Sequence, residues 1–290
     1  MAWDASTLGR SGWSPGSPLG YPRAPMGPMG GPTPPELAAA AHPWLGRLLW
    51  ITAAMYGAGI VAAVVRPRAA RLLLAAGVLV QLAATAARGL AIDFFPLTNK
   101  MESFNAAALA VAIVAVVAFR PARAYLLPVL AVLGAAMAAA LAAPGDLRWP
   151  PPLMRTVWYP LHVPLSFLAY ASWAAAAAAS IAWCARREGE WLGLVDRLAL
   201  WGFVLWSLAM VTGGVWGVVA WGAYFMWDAK VIWSVILWFH YAAFVHVKLT
   251  PSLQPRPWVR PALATVGFLL VLVAYVGTSF FFGRSSHAFG

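Results

Sequence analysis

Residues 213–246 of the chain read GGVWGVVAWGAYFMWDAKVIWSVILWFHYAAFVH, and this stretch decides how the sequence folds. Its charged residues, Asp228 and Lys230, lie close together near the middle, between two apolar arms. In lipid a backbone must satisfy its own hydrogen bonds, so each apolar arm is predicted to be a membrane helix. Residues 216–238, called here the Trp-rich segment, then form an external connection between two helices.

The same apolar pattern recurs along most of the chain. From Trp44 onward there are eight stretches near the roughly 20 residues that cross a bilayer. They lie at about 45–65, 71–90, 103–119, 122–143, 162–184, 197–217, 231–249 and 259–280. The predicted fold is all-α: a polytopic membrane protein with eight transmembrane helices and a tryptophan-rich external loop between helices six and seven.

Composition supports this class and excludes others. Charged residues make up 10% of the chain, against about 25% in soluble proteins. The net charge of +11 comes from basic residues that lie singly between apolar runs, which indicates a lipid bilayer as partner and no nucleic acid. The single cysteine, Cys184, excludes an internal disulfide and a Cys-x-x-Cys redox pair.

The first 43 residues differ from the rest. They are rich in Pro, Gly and Ser, and such a segment buries too little apolar surface to offset the entropy of ordering it. They also lack the charged start and apolar core of a signal peptide. We therefore predict a disordered tail at 1–43 and an eight-helix membrane domain at 44–290.

The distribution of basic residues predicts the orientation. One alternate set of connections holds eleven basic residues: Arg66, Arg68, Arg71, Arg120, Arg123, Arg186, Arg187, Arg197, Lys248, Arg256 and Arg260. The other set holds five: Arg88, Lys100, Arg148, Arg155 and Lys230. The positive-inside rule places the first set in the cytoplasm. Both termini and the Trp-rich segment are then outside the plasma (inner) membrane, although four basic residues near the termini narrow the margin to eleven against nine.

Two histidines are predicted to lie on the outer side, beside the Trp-rich segment. His162 opens the fifth apolar stretch and His287 follows the eighth. An aromatic belt at the bilayer interface would explain the tryptophans alone. A porphyrin would also explain them, because it is flat and apolar and its iron takes axial imidazoles. Trp216, Trp227 and Trp238 would share one face only if the helix were continuous.

Four blocks in order carry a family resemblance. WGAYFMWDAKVIWS (221–234) resembles the WWD domain of haem-handling proteins. FPLTNKMESF (95–104), WYPLHVPLSFLAYA (158–171) and SSHAFG (285–290) are similar to further motifs of the CcsA/ResC family of system II cytochrome c biogenesis. This family usually has Trp, Pro and Glu where this chain has Phe225, Ala229 and Val231.

The resemblance implies a set of haem-binding residues. His162 and His287 would ligate the iron of haem b on the outer side, and His246 would belong to an inner site completed by a CcsB/ResB-like membrane subunit. The remaining residues expected at the site are Trp221, Trp227, Trp233, Tyr224, Asp228 and Lys230. Lys230, Arg155 and Arg284 are candidates to meet haem propionates, while Asp228 orients Lys230 or caps a helix. His240 is expected to be structural.

The implied function is cytochrome c assembly. The chain would present haem for thioether attachment to apocytochrome c, as a haem lyase subunit that acts by positioning, and it would also be placed to conduct haem across the membrane. Two alternatives remain open at this stage. One is a haem exporter or chaperone of the CcmC kind, and the other is a non-catalytic membrane scaffold or a transporter that binds no haem.

Overall fold

A computed structural model describes residues 43–253 and 256–278, and every regular element within those ranges is helical. Eight of these helices are long and apolar enough to cross a membrane, which confirms the predicted fold class. Their bounds are α1 Pro43–Val65, α2 Pro67–Ile92, α3 Lys100–Val117, α4 Arg123–Ala142, α5 Trp158–Arg186, α6 Gly189–Trp221, α7 Ala229–Leu249 and α8 Val259–Leu272. A π-helical turn continues α8 to Gly277 and completes its membrane-spanning length. The predicted tail lies outside the described residues up to position 42.

The connections between helices lie at two opposite ends of the bundle. The connections at 93–99, 143–157 and 222–228 share one end, here called the tryptophan face. The first two contact each other there, since the Asn99 amide donates to the carbonyl oxygen of Asp146 at 2.9 Å. The connections after α1, α3, α5 and α7 share the other end, here called the arginine face because most basic residues of the chain lie near it.

Local sequence sets several helix ends. Asn99 caps α3 by accepting a hydrogen bond from the Glu102 N–H at 2.9 Å, and Asp228 caps α7 by accepting one from the Lys230 N–H at 2.7 Å. Gly222 ends α6 in the left-handed conformation, with φ of 75°. The interpretation of Asp228 as a helix cap therefore agrees with the structure.

Helix α6 is longer than the predicted 197–217. Its 33 residues span about 50 Å, against about 30 Å for the hydrocarbon core. The additional first turns include the charged residues Glu190 and Asp196. One carboxylate oxygen of Asp196 forms an ion pair with Arg260 of α8, and the Trp191 indole donates to Glu188, which precedes the helix, at 3.0 Å. Because hydropathy registers only apolar residues, it missed these turns.

Helix α5 forms the centre of the bundle. In its most apolar stretch 78% of the residues are buried, against 50% or less in every other helix of the described chain. The run Ala174–Ala179 is buried throughout, which lets neighbouring helices approach closely. Trp173 stacks on Tyr241 of α7 at 3.8 Å between ring centroids and donates to the Ala199 carbonyl of α6 at 3.2 Å.

We expect Trp173→Ala to lower the free energy of unfolding by about 3 kcal/mol, because the cavity removes packing that lipid cannot replace. Denaturant titration in detergent measures this difference. Trp201→Ala is the matched control, since Trp201 lies on α6 with 62% of its surface exposed. Equal effects of the two substitutions would contradict the central position of Trp173.

Candidate functional site

The Trp-rich segment is not one continuous helix. Trp221 is the last residue of α6, residues 222–228 form a loop, and Ala229 begins α7. Trp216, Trp227 and Trp238 therefore lie on α6, on the loop and on α7, and do not share one helical face. The loop that replaces the continuous helix brings other residues together.

Glycines of α6 allow this loop to fold back onto the helix. The Tyr224 ring lies against Gly214, so closely that a Cβ atom there would overlap it. The carbonyl oxygen of Ala223 lies against Gly217, at 2.9 Å from the position of a Cβ atom. Side chains at these two positions would push the loop away, so the glycines set its path.

His162 lies in the second turn of α5, four residues after the helix begins at Trp158. Its Nδ1 is 2.8 Å from the carbonyl oxygen of Ala209 on α6. Because a carbonyl oxygen only accepts, Nδ1 carries the hydrogen and the lone pair lies on Nε2. The imidazole also packs against Gly213, where a Cβ atom would come within 2.6 Å of Nδ1. Both contacts fix the ring orientation.

Trp216 supports the face of the His162 ring. The two rings stack at 6.1 Å between centroids with 22° between their planes. The buried Trp216 indole donates to the Leu153 carbonyl at 2.8 Å, and it packs against Tyr159 at 5.0 Å and Trp221 at 4.7 Å. We call His162, Tyr159, Trp216 and Trp221 the His162 cluster. It joins α5 and α6 at the tryptophan face.

The other predicted aromatic residues take different positions. Trp227 is 86% exposed, and its ring meets Phe225 edge-on at 5.2 Å, so position 225 keeps an aromatic contact. Tyr224 is more than half exposed despite its contact with α6. Trp233 is partly buried and packs against the core. Of the three predicted tryptophans, the structure thus brings Trp221 into contact with the His162 cluster.

Lys230 points toward α8. Its Nζ lies 5.9 Å from the centre of the Tyr275 ring. Tyr275 belongs to a π-helical turn, Val273–Gly277, that continues α8, and π turns are frequent at functional sites. The Tyr275 ring also meets Phe167 at 5.4 Å and Tyr170 at 5.9 Å, both on α5. The end of α8 therefore lies beside the start of α5. Arg155, the second candidate for a propionate contact, donates through Nε to the Pro150 carbonyl of its own connection at 3.0 Å.

His246 lies at the arginine-face end of α7, far from His162, and it is exposed. Its Nδ1 is 2.8 Å from the Ala242 carbonyl of the same helix, so its lone pair also lies on Nε2. His240 bonds to the Leu263 carbonyl of α8 at 2.9 Å, as expected of a structural histidine. His287 and Arg284 lie outside the described residues, so the predicted pairing of His162 with His287 stays a prediction.

Three features of the His162 cluster were not predicted from the sequence. Trp216 was recognised as part of the Trp-rich segment but was not expected to contact His162. Tyr159 and the Ala209 carbonyl were not expected at all. One signal was present: Gly213, Gly214 and Gly217 lie on both sides of Trp216, and small residues in a membrane helix mark close contacts.

Fold and site together define a class of protein, a multi-pass α-helical membrane protein with a histidine held by tryptophans at one membrane face. Residues 69–283 match the sequence profile of the family described as Cytochrome C assembly protein, which is about three quarters of the chain. The chain therefore belongs to the cytochrome c assembly protein family.

Curated relatives confirm the resemblance to CcsA. The chain is 44% identical over 95 residues to the cytochrome c biogenesis protein CcsA of Prochlorococcus marinus (strain MIT 9215), which covers 32% of this chain and 29% of the relative. It is 43% identical over 90 residues to CcsA of Porphyra purpurea, covering 31% and 27% of the two chains. These matches span less than a third of the relatives' length.

A solved structure resembles the fold. The cytochrome c haem lyase CcmF matches with a TM-score of 0.66 and 20% sequence identity, covering 83% of this chain and 47% of that one. At this identity the match speaks for the arrangement of the helices alone.

We expect Gly214→Ala to detach the loop 222–228 without unfolding the bundle. Overpacking costs about 1–3 kcal/mol, and movement of the exposed Tyr224 relieves it, so amide exchange in the loop should accelerate about 10-fold or more. Hydrogen–deuterium exchange with mass spectrometry measures this. Gly57→Ala is the control, because no atom lies within 4 Å of a Cβ there. Unchanged loop exchange in Gly214→Ala would contradict the folded-back loop.

Proposed function

We propose that this chain binds haem b as a substrate on the outer side of the plasma (inner) membrane and presents it for thioether attachment to apocytochrome c. Membership of the cytochrome c assembly family gives the broader role, cytochrome c maturation. The observation that carries the proposal is the fixed orientation of His162, with Nδ1 bonded to Ala209 and the ring stacked on Trp216.

This geometry suits an axial ligand. Histidines that ligate metals commonly donate their other ring N–H to a carbonyl or a carboxylate, which fixes the tautomer and directs the lone pair at the metal. His162 has this arrangement, with the Ala209 carbonyl as its partner. The neighbouring indoles of Trp216 and Trp221 provide an apolar wall of the kind that a porphyrin prefers.

His287 is proposed as the second axial ligand. Helix α8 runs from the arginine face to the tryptophan face, and its Tyr275 contacts Phe167, which lies five residues after His162 on α5. His287 lies nine positions after Thr278, and an extended chain of that length reaches up to about 30 Å. His287 is thus within reach of His162.

Lys230 is proposed to meet a haem propionate. It begins α7 at the tryptophan face and points toward the Tyr275 ring, beside the start of α5. A cation at this depth pairs favourably with a carboxylate. Asp228 would support it indirectly, since it fixes the first turn of α7 through its bond to the Lys230 N–H.

The exposed aromatic residues of the loop are proposed to meet the porphyrin edge or the apocytochrome. Trp227 and Phe225 are exposed, and Tyr224 is more than half exposed although its ring packs on Gly214. Exposed aromatic side chains are frequent anchors of protein interfaces. The reacting thiols come from the apocytochrome, so the chain needs no nucleophile of its own for this reaction. Its contribution is to hold the haem at a fixed orientation.

His246 is proposed as a ligand of an inner haem site. It is exposed on α7 near the arginine face, which the positive-inside rule places in the cytoplasm. Because His246 is exposed at the periphery of the helix bundle, a CcsB/ResB-like subunit could pack beside it and supply a second ligand. An inner and an outer site on one chain would then mark the start and end of a haem path across the membrane.

We expect His162→Ala to lose the Soret band of the chain purified in detergent from haem-replete cells. Loss of a residue that only hydrogen-bonds a metal ligand typically lowers affinity by roughly 10- to 100-fold. His162→Ala removes the ligand itself, so its haem affinity should fall further. His240→Gln is the control, since glutamine can still hydrogen-bond the Leu263 carbonyl that His240 contacts.

The result also separates the alternatives. A colourless wild-type preparation, with His162→Ala fully active in cytochrome c maturation, would leave only the scaffold or transporter. A haem exporter of the CcmC kind would lose the Soret band in the same way. It would differ in failing to form thioether-linked cytochrome c when the purified chain is mixed with haem and apocytochrome c.

We expect Lys230→Gln to weaken haem binding about 10-fold without changing the axial ligands, because a hydrogen bond to a charged group contributes about 1.5–3 kcal/mol. Titration with iron protoporphyrin IX and with its dimethyl ester separates the cause. The substitution should weaken binding of the free acid and leave binding of the ester unchanged. Lys100→Gln, on the same face, is the control. Equal weakening for acid and ester would contradict the propionate contact.

A further inference from the structure

A buried ion pair lies at the tryptophan face, outside the His162 cluster. Arg88 of α2 donates through Nη2 and Nε to the same carboxylate oxygen of Glu102 on α3, at 2.9 and 3.1 Å. The Glu102 side chain is 1% exposed and that of Arg88 is 11% exposed. Burying two charges is costly, and such pairs contribute little net stability compared with apolar packing. The pair therefore needs another explanation.

The carboxylate of Glu102 holds the connection 93–99. Its second oxygen accepts from the Thr98 N–H at 2.7 Å and from the Thr98 hydroxyl at 2.9 Å. The Asn99 side chain caps the helix on which Glu102 lies. Two hydrogen bonds to the carboxylate of Glu102 and one from its backbone N–H thus fix two consecutive residues of this connection.

The same ion pair holds the connection 143–157. Arg88 Nη2 also donates to the Gly145 carbonyl at 3.1 Å, and Asn99 donates to the Asp146 carbonyl at 2.9 Å. The connections 93–99 and 143–157 therefore both depend on Arg88 and Glu102.

Both connections in turn hold the His162 cluster. The Leu97 carbonyl, one residue before Thr98, accepts from the Tyr159 hydroxyl at 2.8 Å, and the Tyr159 ring packs on Trp216. The Leu153 carbonyl, in the connection 143–157, accepts from the Trp216 indole at 2.8 Å. Two separate paths from the ion pair thus converge on Trp216, the residue on which His162 stacks.

We propose that Glu102, paired with Arg88, is a positioning residue for haem ligation by His162. It acts through Tyr159 and Trp216 and does not touch the haem. This inference rests on the proposed function, because it needs haem at His162. Loss of the ion pair releases both connections, Trp216 loses its two supports, and the imidazole plane is no longer fixed for the iron.

A second buried polar group in the same helices provides the matched control. The Gln81 amide of α2 donates to Asn105 of α3 at 2.8 Å and accepts from the Tyr56 hydroxyl of α1 at 2.5 Å. Gln81 is fully buried, as Glu102 nearly is. Its hydrogen bonds join α1, α2 and α3, whereas those around Glu102 lead to Tyr159 and Trp216.

The test titrates iron protoporphyrin IX into the full chain in detergent and records affinity, Soret position and midpoint potential. We expect Glu102→Gln and Tyr159→Phe to lower haem affinity by about 10- to 100-fold, as loss of outer-shell partners does, and to shift the Soret band and the potential. Tyr159→Phe keeps the ring on Trp216 and removes only the bond to Leu97, so it carries the test if Glu102→Gln does not fold. Gln81→Leu should lower thermal stability and leave the haem spectrum unchanged.

Hydrogen–deuterium exchange of the haem-free chain gives an independent measurement. Residues 143–157 should exchange faster in Glu102→Gln than in Gln81→Leu. Wild-type haem affinity and spectrum in both Glu102→Gln and Tyr159→Phe would overturn the proposal, and so would an equal spectral change in Gln81→Leu. His162→Ala, titrated in parallel, distinguishes failure of the positioning role from failure of the proposed function. If His162→Ala loses haem while Glu102→Gln and Tyr159→Phe bind it like the wild type, only the positioning role fails. If His162→Ala itself binds haem like the wild type, the proposed function fails and the positioning role fails with it.

Discussion

Helix α5 approaches α6 so closely that a glycine stands on α6 at two of the main points of contact. The indole of Trp173 packs directly against Gly202, and the imidazole of His162 packs directly against Gly213. Lipid offers no hydrophobic drive for helices to associate, so van der Waals packing and hydrogen bonds between helices must hold them together. Both side chains also hydrogen-bond to α6 carbonyls, Trp173 to Ala199 and His162 to Ala209. One packing arrangement therefore stabilises the centre of the bundle and orients the candidate ligand.

The site at the tryptophan face combines rigid and exposed parts. The His162 cluster is fixed by hydrogen bonds from its rings to backbone carbonyls, and its supports reach back to the buried pair of Arg88 and Glu102. Trp227, by contrast, lies on a loop and is largely exposed. This division suits a protein that must hold one group in a fixed orientation while leaving a surface open for a second molecule.

Sequence alone predicted the helices well, because apolar length in lipid depends on local composition and not on partners. It also offered a helix cap as one of two roles for Asp228, which is the role the structure shows, and placed His162 near the start of α5. It did not find the contact of His162 with Trp216, the support from Tyr159, or the loop that folds back onto Gly214. Those contacts join residues about 50 or more positions apart, or depend on which side chain fills the space above a glycine, and no local periodicity reports them. The first turns of α6, with the charged Glu190 and Asp196, were missed for a related reason, since the partner of Asp196 lies on another helix.

The central claim is that one imidazole nitrogen of His162 is held by the Ala209 carbonyl so that the other can bind iron. Cryo-electron microscopy of the full chain purified with haem tests it most directly. We expect iron bonded to Nε2 of His162, with Nδ1 still at hydrogen-bond distance from the Ala209 carbonyl and Trp216 stacked against the ring. Haem bound elsewhere on the chain, or a His162 ring turned so that Nε2 meets the Ala209 carbonyl, would contradict it.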